Sequence, residues 1–249
     1  MTPPSRTFGP APAAADSDST FDGVLLVDKP IGPTSHDIVD RIRRFFRIKK
    51  VGHGGTLDPM ASGLMILLLG KGTKLSDRFL GSDKIYQGTM HFGISTDSQD
   101  AMGEVIREAD ASALTEQQIR TQMQTLIGDS MQMPPMTSAL KIKGVPLYKL
   151  ARKGQTVERK ARLIHVFRFD LLAFNPPCAD FEVKCTKGTY VRTLATDVGE
   201  ALGCGAHLSK LRRTQCGSLS LDQALPLAEA LTMSPPQLAS HVIPLRMFA

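Results

Sequence analysis

Six consecutive apolar residues, Leu64 to Leu69 (LMILLL), make up the longest apolar run in the chain. A membrane-spanning helix needs about 20 such residues, so this run is far too short to cross a bilayer. Bounded by Gly63 and Gly70 and lacking a polar face, it reads as a central, buried strand. The 249 residues, 42% of them apolar, are enough for one large domain or two small ones around a real core.

Other elements fall around that strand. GVLLVDKP reads as a short buried strand ended by Pro30. Thr34-Ser35-His36-Asp37 has the spacing of a helix start, with Ile38, Ile42, Phe45 and Phe46 following as an apolar stripe. KIYQGTMHFGI predicts a strand with Tyr86, Gly88, Met90, Phe92 and Ile94 on one face. Leu114 to Ile127 predicts a helix burying Ile119, Met123, Leu126 and Ile127. Strands are expected at Leu163–Phe174 and Phe181–Cys185. KGTYVRTLATDVGEALG reads as a turn and a helix with Thr189 as N-cap, Gly203 as the C-terminal glycine, and Leu194, Val198, Ala201 and Leu202 as the buried stripe. Strands and helices mix without strict alternation, which favours an α+β fold. Residues 1–21, rich in Pro, Ala, Ser and Asp, read as a disordered tail with neither signal-peptide nor transit-peptide character.

The formal charge of +6 is unevenly spread. Basic residues cluster at 41–50, at 149–162 and at Lys210, Arg212 and Arg213, whereas 97–116 is mostly acidic. Solvated helix faces would explain any one cluster; three together point to a polyanion, with nucleic acid foremost. The four cysteines, Cys178, Cys185, Cys204 and Cys216, include no C-x-x-C pair and read as reduced thiols of a cytoplasmic protein. The Walker pattern fails around Gly70-Lys71, no dinucleotide fingerprint follows a strand, and the six histidines lack metal-ligand spacing. No metal and no nucleotide cofactor is expected.

What remains is VGHGGTLDPMASG, residues 51–63, several glycines around one acid, Asp58. By spacing alone Asp58 reads as a turn carboxylate before Pro59. Alternatively it is a nucleophile or base in a backbone-lined pocket. A lone carboxylate does not suit two-carboxylate glycosidase chemistry.

This loop resembles the catalytic motif of the TruB family of tRNA pseudouridine-55 synthases. GVLLVDKPIGPTSHDIV, SDKIYQGTMHFGISTDSQDAMGEV, QMPPMTSALKIKGVPLYKLARKG and KGTYVRTLATDVGEALGCGAHLSKLRR are similar to family segments and follow the family order from about Phe21 to beyond Leu219. The resemblance implies a pseudouridine synthase fold over 22–249, with a mixed, mainly antiparallel sheet flanked by helices and loops and a basic insertion arm at about 131–162. It implies isomerisation of one T-loop uridine of tRNA, with no cofactor and no metal. No membrane partner is expected, and a monomer is expected because nothing in the sequence suggests an interface.

The same resemblance gives Asp58 the role of catalytic aspartate, with Arg192 as the cation that keeps its pKa low, and Tyr86 as the aromatic that stacks on the extruded uracil. On physics alone Arg192 is an arginine in a first helical turn, where the helix dipole disfavours it; Tyr86 and Leu211 would be core. Tyr190 and Leu211 match positions lining the uracil pocket, and His53 matches a histidine that meets the RNA. Lys149, Arg152, Lys153, Arg212 and Arg213 are the implied backbone contacts. Two departures stand out. Gly54 occupies a place where many bacterial members have threonine, and is expected to loosen the loop. Only about thirty residues follow Leu219, so no RNA-binding PUA domain is expected there. The basic clusters alone would equally suit an RNA-binding module without catalysis, or the same chemistry on another RNA.

Overall fold

The computed structural model describes residues 21–248 apart from 139, 143, 152, 153 and 156. The expected tail, all but Phe21, and the expected contacts Arg152 and Lys153 lie outside the described residues, as does the side chain of Lys149. In chain order the first elements are β1 (Gly23–Lys29), α1 (Ser35–Phe45), β2 (Val51–His53), β3 (Ala61–Leu69), α2 (Ser76–Gly81), β4 (Lys84–Phe92), β5 (Ile94–Thr96), β6 (Val105–Glu108), α3 (Glu116–Thr125) and β7 (Gly128–Gln132). The hairpin β8 (Lys141–Ile142) and β9 (Val145–Pro146) leads into α4 (Leu147–Ala151). Then come β10 (Arg162–Asn175), β11 (Cys178–Cys185), α5 (Val191–Ala201), β12 (Ala206–Cys216) and β13 (Leu219–Ser220), and after them β14 (Leu225–Pro226), α6 (Leu227–Ala230), α7 (Pro235–Ser240) and β15 (Ile243–Pro244).

One mixed sheet organises the chain, in the order β14-β1-β3-β12-β4-β11-β10-β7, with β13, β15 and β2 attached at its flanks. Its pairings are antiparallel except β3 with β12 and β1 with β14. The apolar run lies in β3, inside the sheet, and both of its faces are used. Met65, Leu67 and Leu69 point into the large core under α1, α3 and α5. Leu64, Ile66 and Leu68 point into a second core with Phe79 of α2 and the C-terminal Leu219. At about 1.5–3 kcal/mol per buried large apolar side chain, this one strand is a major part of the hydrophobic stabilisation.

Helix α1 starts as its sequence suggests. Thr34 Oγ1 accepts from the Asp37 backbone N–H, and the Asp37 carboxylate accepts from the Thr34 N–H, a reciprocal cap worth about 1 kcal/mol. Three expectations shift. The strand at Tyr86 ends at Phe92, because Gly93 turns the chain at φ +86°; Ile94 instead opens the β5–β6 hairpin. Helix α3 is capped by Thr115 and stops at Thr125, leaving Ile127 exposed. Helix α5 is capped by Tyr190, not Thr189, whose hydroxyl donates to the Thr186 carbonyl 3.0 Å away; Ala201 faces solvent and Val191 and Ala195 take its place in the core. Gly203, at φ +83°, terminates that helix as read. The cysteines are free thiols, three of them buried. Among the described residues no helix is long and apolar enough to cross a membrane.

The arm contains regular elements. Its first two residues, Met131 and Gln132, belong to β7, and Arg162 opens β10 directly across from Gln132. Between these roots lie the β8–β9 hairpin and α4.

Candidate active site

The site forms over interior strands of the sheet, where four pieces of chain meet: the glycine loop leading into β3, the start of β4, the middle of β12, and the N-terminus of α5. A cavity of about 320 Å³ opens there. Asp58, Tyr86, Tyr190, Arg192 and Leu211 all line it. The five residues are scattered over more than half of the chain and converge only through the sheet order.

Arg192 is the hub. It is 3% exposed, and its Nε donates to Asp58 Oδ2 at 3.0 Å. Its Nη1 lies 3.2 Å from Asp100 Oδ2 and donates to the Ser98 carbonyl and the Thr137 hydroxyl. One guanidinium therefore bridges two carboxylates through two different nitrogens of a rigid fork, where a lysine would offer a single nitrogen. The helix dipole that disfavours a cation at this position is outweighed by those two anions.

Burial pushes the Asp58 carboxyl above the usual carboxylate range. Arg192 and Lys29 pull it down and the like charge of Asp100 adds to the upward push. The expectation of a lowered pKa is thus corrected: Arg192 opposes the shift without reversing it, because desolvation of the loop is the larger effect. Lys29 is fully buried, donating to the carbonyls of Pro30 and Ala61. Its burial brings its pKa down to about 8.

Tyr86 forms part of the cavity wall with its ring buried, and burial pushes its phenol up to about 12. At neutral pH it is an uncharged aromatic surface, suited to stacking and to donating a hydrogen bond. Leu211 is buried on β12. Tyr190 is held by its backbone: its N–H donates to Gln132 Oε1 at 2.8 Å and its carbonyl accepts from Gln132 Nε2 at 3.2 Å. His53 stands apart from the cavity lining, half-buried at the end of β2. Its Nδ1 accepts from the Gly55 N–H at 3.3 Å, and burial lowers its pKa.

The neighbouring arginines of β12 divide by strand alternation. Arg212 points outward to Asp28 Oδ2 at 2.7 Å and to Ser62. Arg213 points inward and is 1% exposed, its guanidinium occupied by backbone carbonyls. The expected phosphate contact is therefore corrected for Arg213: buried and bonded, it presents no charge to solvent.

Gly54 does not loosen the loop. A Cβ there would come within 2.6 Å of Phe79 Cβ, so the missing side chain is what lets the loop press onto α2. Gly63, at φ +100°, lies against the Arg213 backbone, where a Cβ would meet its carbonyl oxygen at 2.3 Å. The glycines permit close packing rather than motion.

Sequence reasoning passed over Asp100, Gln132, Thr137 and Lys29. Asp100 sits in an acidic stretch, and Thr137 and Gln132 in a segment read as arm; nothing in their spacing marks them. Lys29 closes a segment read only as a buried strand, and its charge drew no reading there.

The family model described as "TruB family pseudouridylate synthase (N terminal domain)" matches residues 43–191, and "tRNA pseudouridylate synthase B C-terminal domain" matches 192–245. The junction of the two falls inside α5. A tRNA pseudouridine synthase B from Opitutus terrae is 53% identical over 224 residues, covering 90% of this chain and 93% of that protein. One from Burkholderia pseudomallei is 50% identical over 207 residues, covering 83% and 68%. Among solved structures, a chain of a Cbf5–Nop10–Gar1 complex superposes with a TM-score of 0.71 at 29% identity, covering 91% of this chain and 61% of that one. This chain thus spans about three fifths of that chain. With a family model spanning most of its length and relatives at half identity, the chain belongs to the TruB family of pseudouridylate synthases.

Proposed function

We propose that the chain is a tRNA pseudouridine(55) synthase, isomerising one T-loop uridine of tRNA. The observation that carries this reading is the Asp58–Arg192 pair, 3.0 Å apart at the wall of a cavity that Tyr86 also lines. The reaction breaks the C1′–N1 bond, turns the uracil and joins C5 to C1′; C5 then loses its proton and N1 gains one, so atoms and electrons balance without redox change or net hydrolysis, and it takes no cofactor and no metal. A base inside a folded loop has to be extruded first, and Tyr86 offers it a flat apolar surface beside Leu211 and Tyr190. Asp58, ionised, then either attacks C1′ or removes a sugar proton; both routes need the carboxylate charged and oriented, which Arg192 supplies.

The RNA is gripped by charge and shape. Lys149, Arg152 and Lys153 of the arm, with Arg212 on the sheet, meet phosphates and give salt-dependent, sequence-independent affinity. His53 meets the RNA outside the pocket. The enzyme works as a cytoplasmic monomer. The test is pseudouridine formation in a tRNA transcript with wild type and Asp58→Ala. Turnover surviving the substitution would refute the assignment.

A further inference from the structure

Arg213 is among the largest fully buried side chains of the protein. A buried cation is costly unless paired, yet among the described residues no carboxylate comes within ion-pairing distance of it. Its partners are backbone carbonyls instead. Nε donates to Leu64 O at 2.7 Å, Nη2 to Gly55 O at 3.2 Å and Nη1 to Thr56 O at 3.4 Å. The first belongs to β3 and the other two to the loop just before Asp58. On the sheet, Arg213 is registered between Gly63 of β3 and Tyr86 of β4, and Arg213 and Tyr86 share the wall of the cavity. The packing is reciprocal: a Cβ on Gly55 would come within 3.3 Å of Nη1, and Gly63 leaves room for the Arg213 backbone.

We propose that Arg213 is the positioning residue of this site, a buried clasp that fixes the Asp58 loop to β3 and to Tyr86. The proposal rests on the pseudouridine synthase reading for its catalytic consequence, though not for the clasp itself. A filler residue could be aliphatic. The three carbonyls that Arg213 holds on two segments are each met by a different nitrogen of one rigid, planar fork, whereas an ammonium, which at Lys29 also holds two carbonyls, would have to gather all three around a single nitrogen. Because the loop carbonyls come two and three residues before Asp58, releasing them shifts the carboxylate relative to Tyr86. A misplacement of about 1 Å can lower a rate by about a hundredfold.

Two variants separate clasp from filler. Arg213→Lys keeps the charge but has one ammonium, and Arg213→Met keeps the bulk without charge. Single-turnover pseudouridine formation and tRNA affinity would be measured for both, with deuterium exchange of the full chain without RNA. Expected are RNA affinity within about threefold of wild type, turnover lower by about a hundredfold in both, and faster exchange confined to residues 54–58, with α3 unchanged. Near-normal turnover in Arg213→Lys would overturn the clasp, since charge would then suffice. Exchange rising evenly over the sheet, or failure of both variants to fold, would also overturn it and make Arg213 a residue of general stability. A wild type that forms no pseudouridine would instead refute the function, while the exchange pattern would still decide the clasp.

Discussion

Arg192 touches Asp58 with Nε and Asp100 with Nη1, at 3.0 and 3.2 Å, so one buried guanidinium sets the distance between two carboxylates. Replacing it by lysine leaves one point charge for two anions. Arg192→Lys is expected to fold and to lose at least about a hundredfold in turnover with little change in RNA affinity, since the loss falls on carboxylate orientation. Arg192→Ala is expected to do more damage. It leaves Asp100 buried and unpaired, at a cost of about 3–5 kcal/mol, which thermal melting would show as a much lower Tm.

The acid limb of the rate profile follows from Asp58. Its carboxyl titrates above the usual carboxylate range because burial and Asp100 outweigh Arg192 and Lys29. Activity needs the ionised form, so single-turnover rates should fall with decreasing pH while the pH is still above the ordinary carboxylate pKa of about 4. Asp100→Asn removes the like charge and should move that limb to lower pH, although turnover drops. A limb that stays in place would show that burial alone sets it.

Lys29 gives a stability prediction with a definite sign. Its folded pKa is lowered to about 8 from 10.5. Between these values the unfolded chain holds more proton than the folded one, so this group makes stability rise with pH across that window. Lys29→Met lacks the term. The stability of the variant relative to wild type should therefore decline as pH rises from 8 to 10, whatever the offset at neutral pH. Chemical denaturation at several pH values measures it.

Gly54 and Phe79 make the loop's packing testable. Gly54→Ala forces a contact at 2.6 Å against Phe79 Cβ and is expected to cost about 1–3 kcal/mol by overpacking, with reduced turnover because the loop carries Asp58. Gly81→Ala is the control. It has open space and no left-handed φ, so it should be neutral or stabilise by up to about 1 kcal/mol.

Much of this was legible in the chain. The LMILLL run announced a strand without a wet face, and the structure puts it between two cores. The cap at Thr34 and the glycine at 203 were readable because capping is local chemistry. What the residues alone could not rank was Asp58 against any turn carboxylate, since its partners Arg192 and Asp100 arrive only through long-range strand order; the family motif supplied Arg192. Asp100 stayed hidden for the same reason. Arg213 was misread as an RNA contact beside Arg212 because charge clusters were counted along the chain, whereas a strand sends alternate residues to opposite faces.

The arm leaves the sheet at Gln132 and returns at Arg162, and these two residues are direct partners across β7 and β10. A segment whose ends already touch can lengthen or shrink with little effect on the strands beside it, each doubling adding only about 0.6 kcal/mol of closure entropy. Its root, though, is not free to vary, because the Gln132 side chain holds the Tyr190 backbone at the head of α5. Lineages could therefore trade one arm for another of different length and reach, so long as the glutamine at its base is kept.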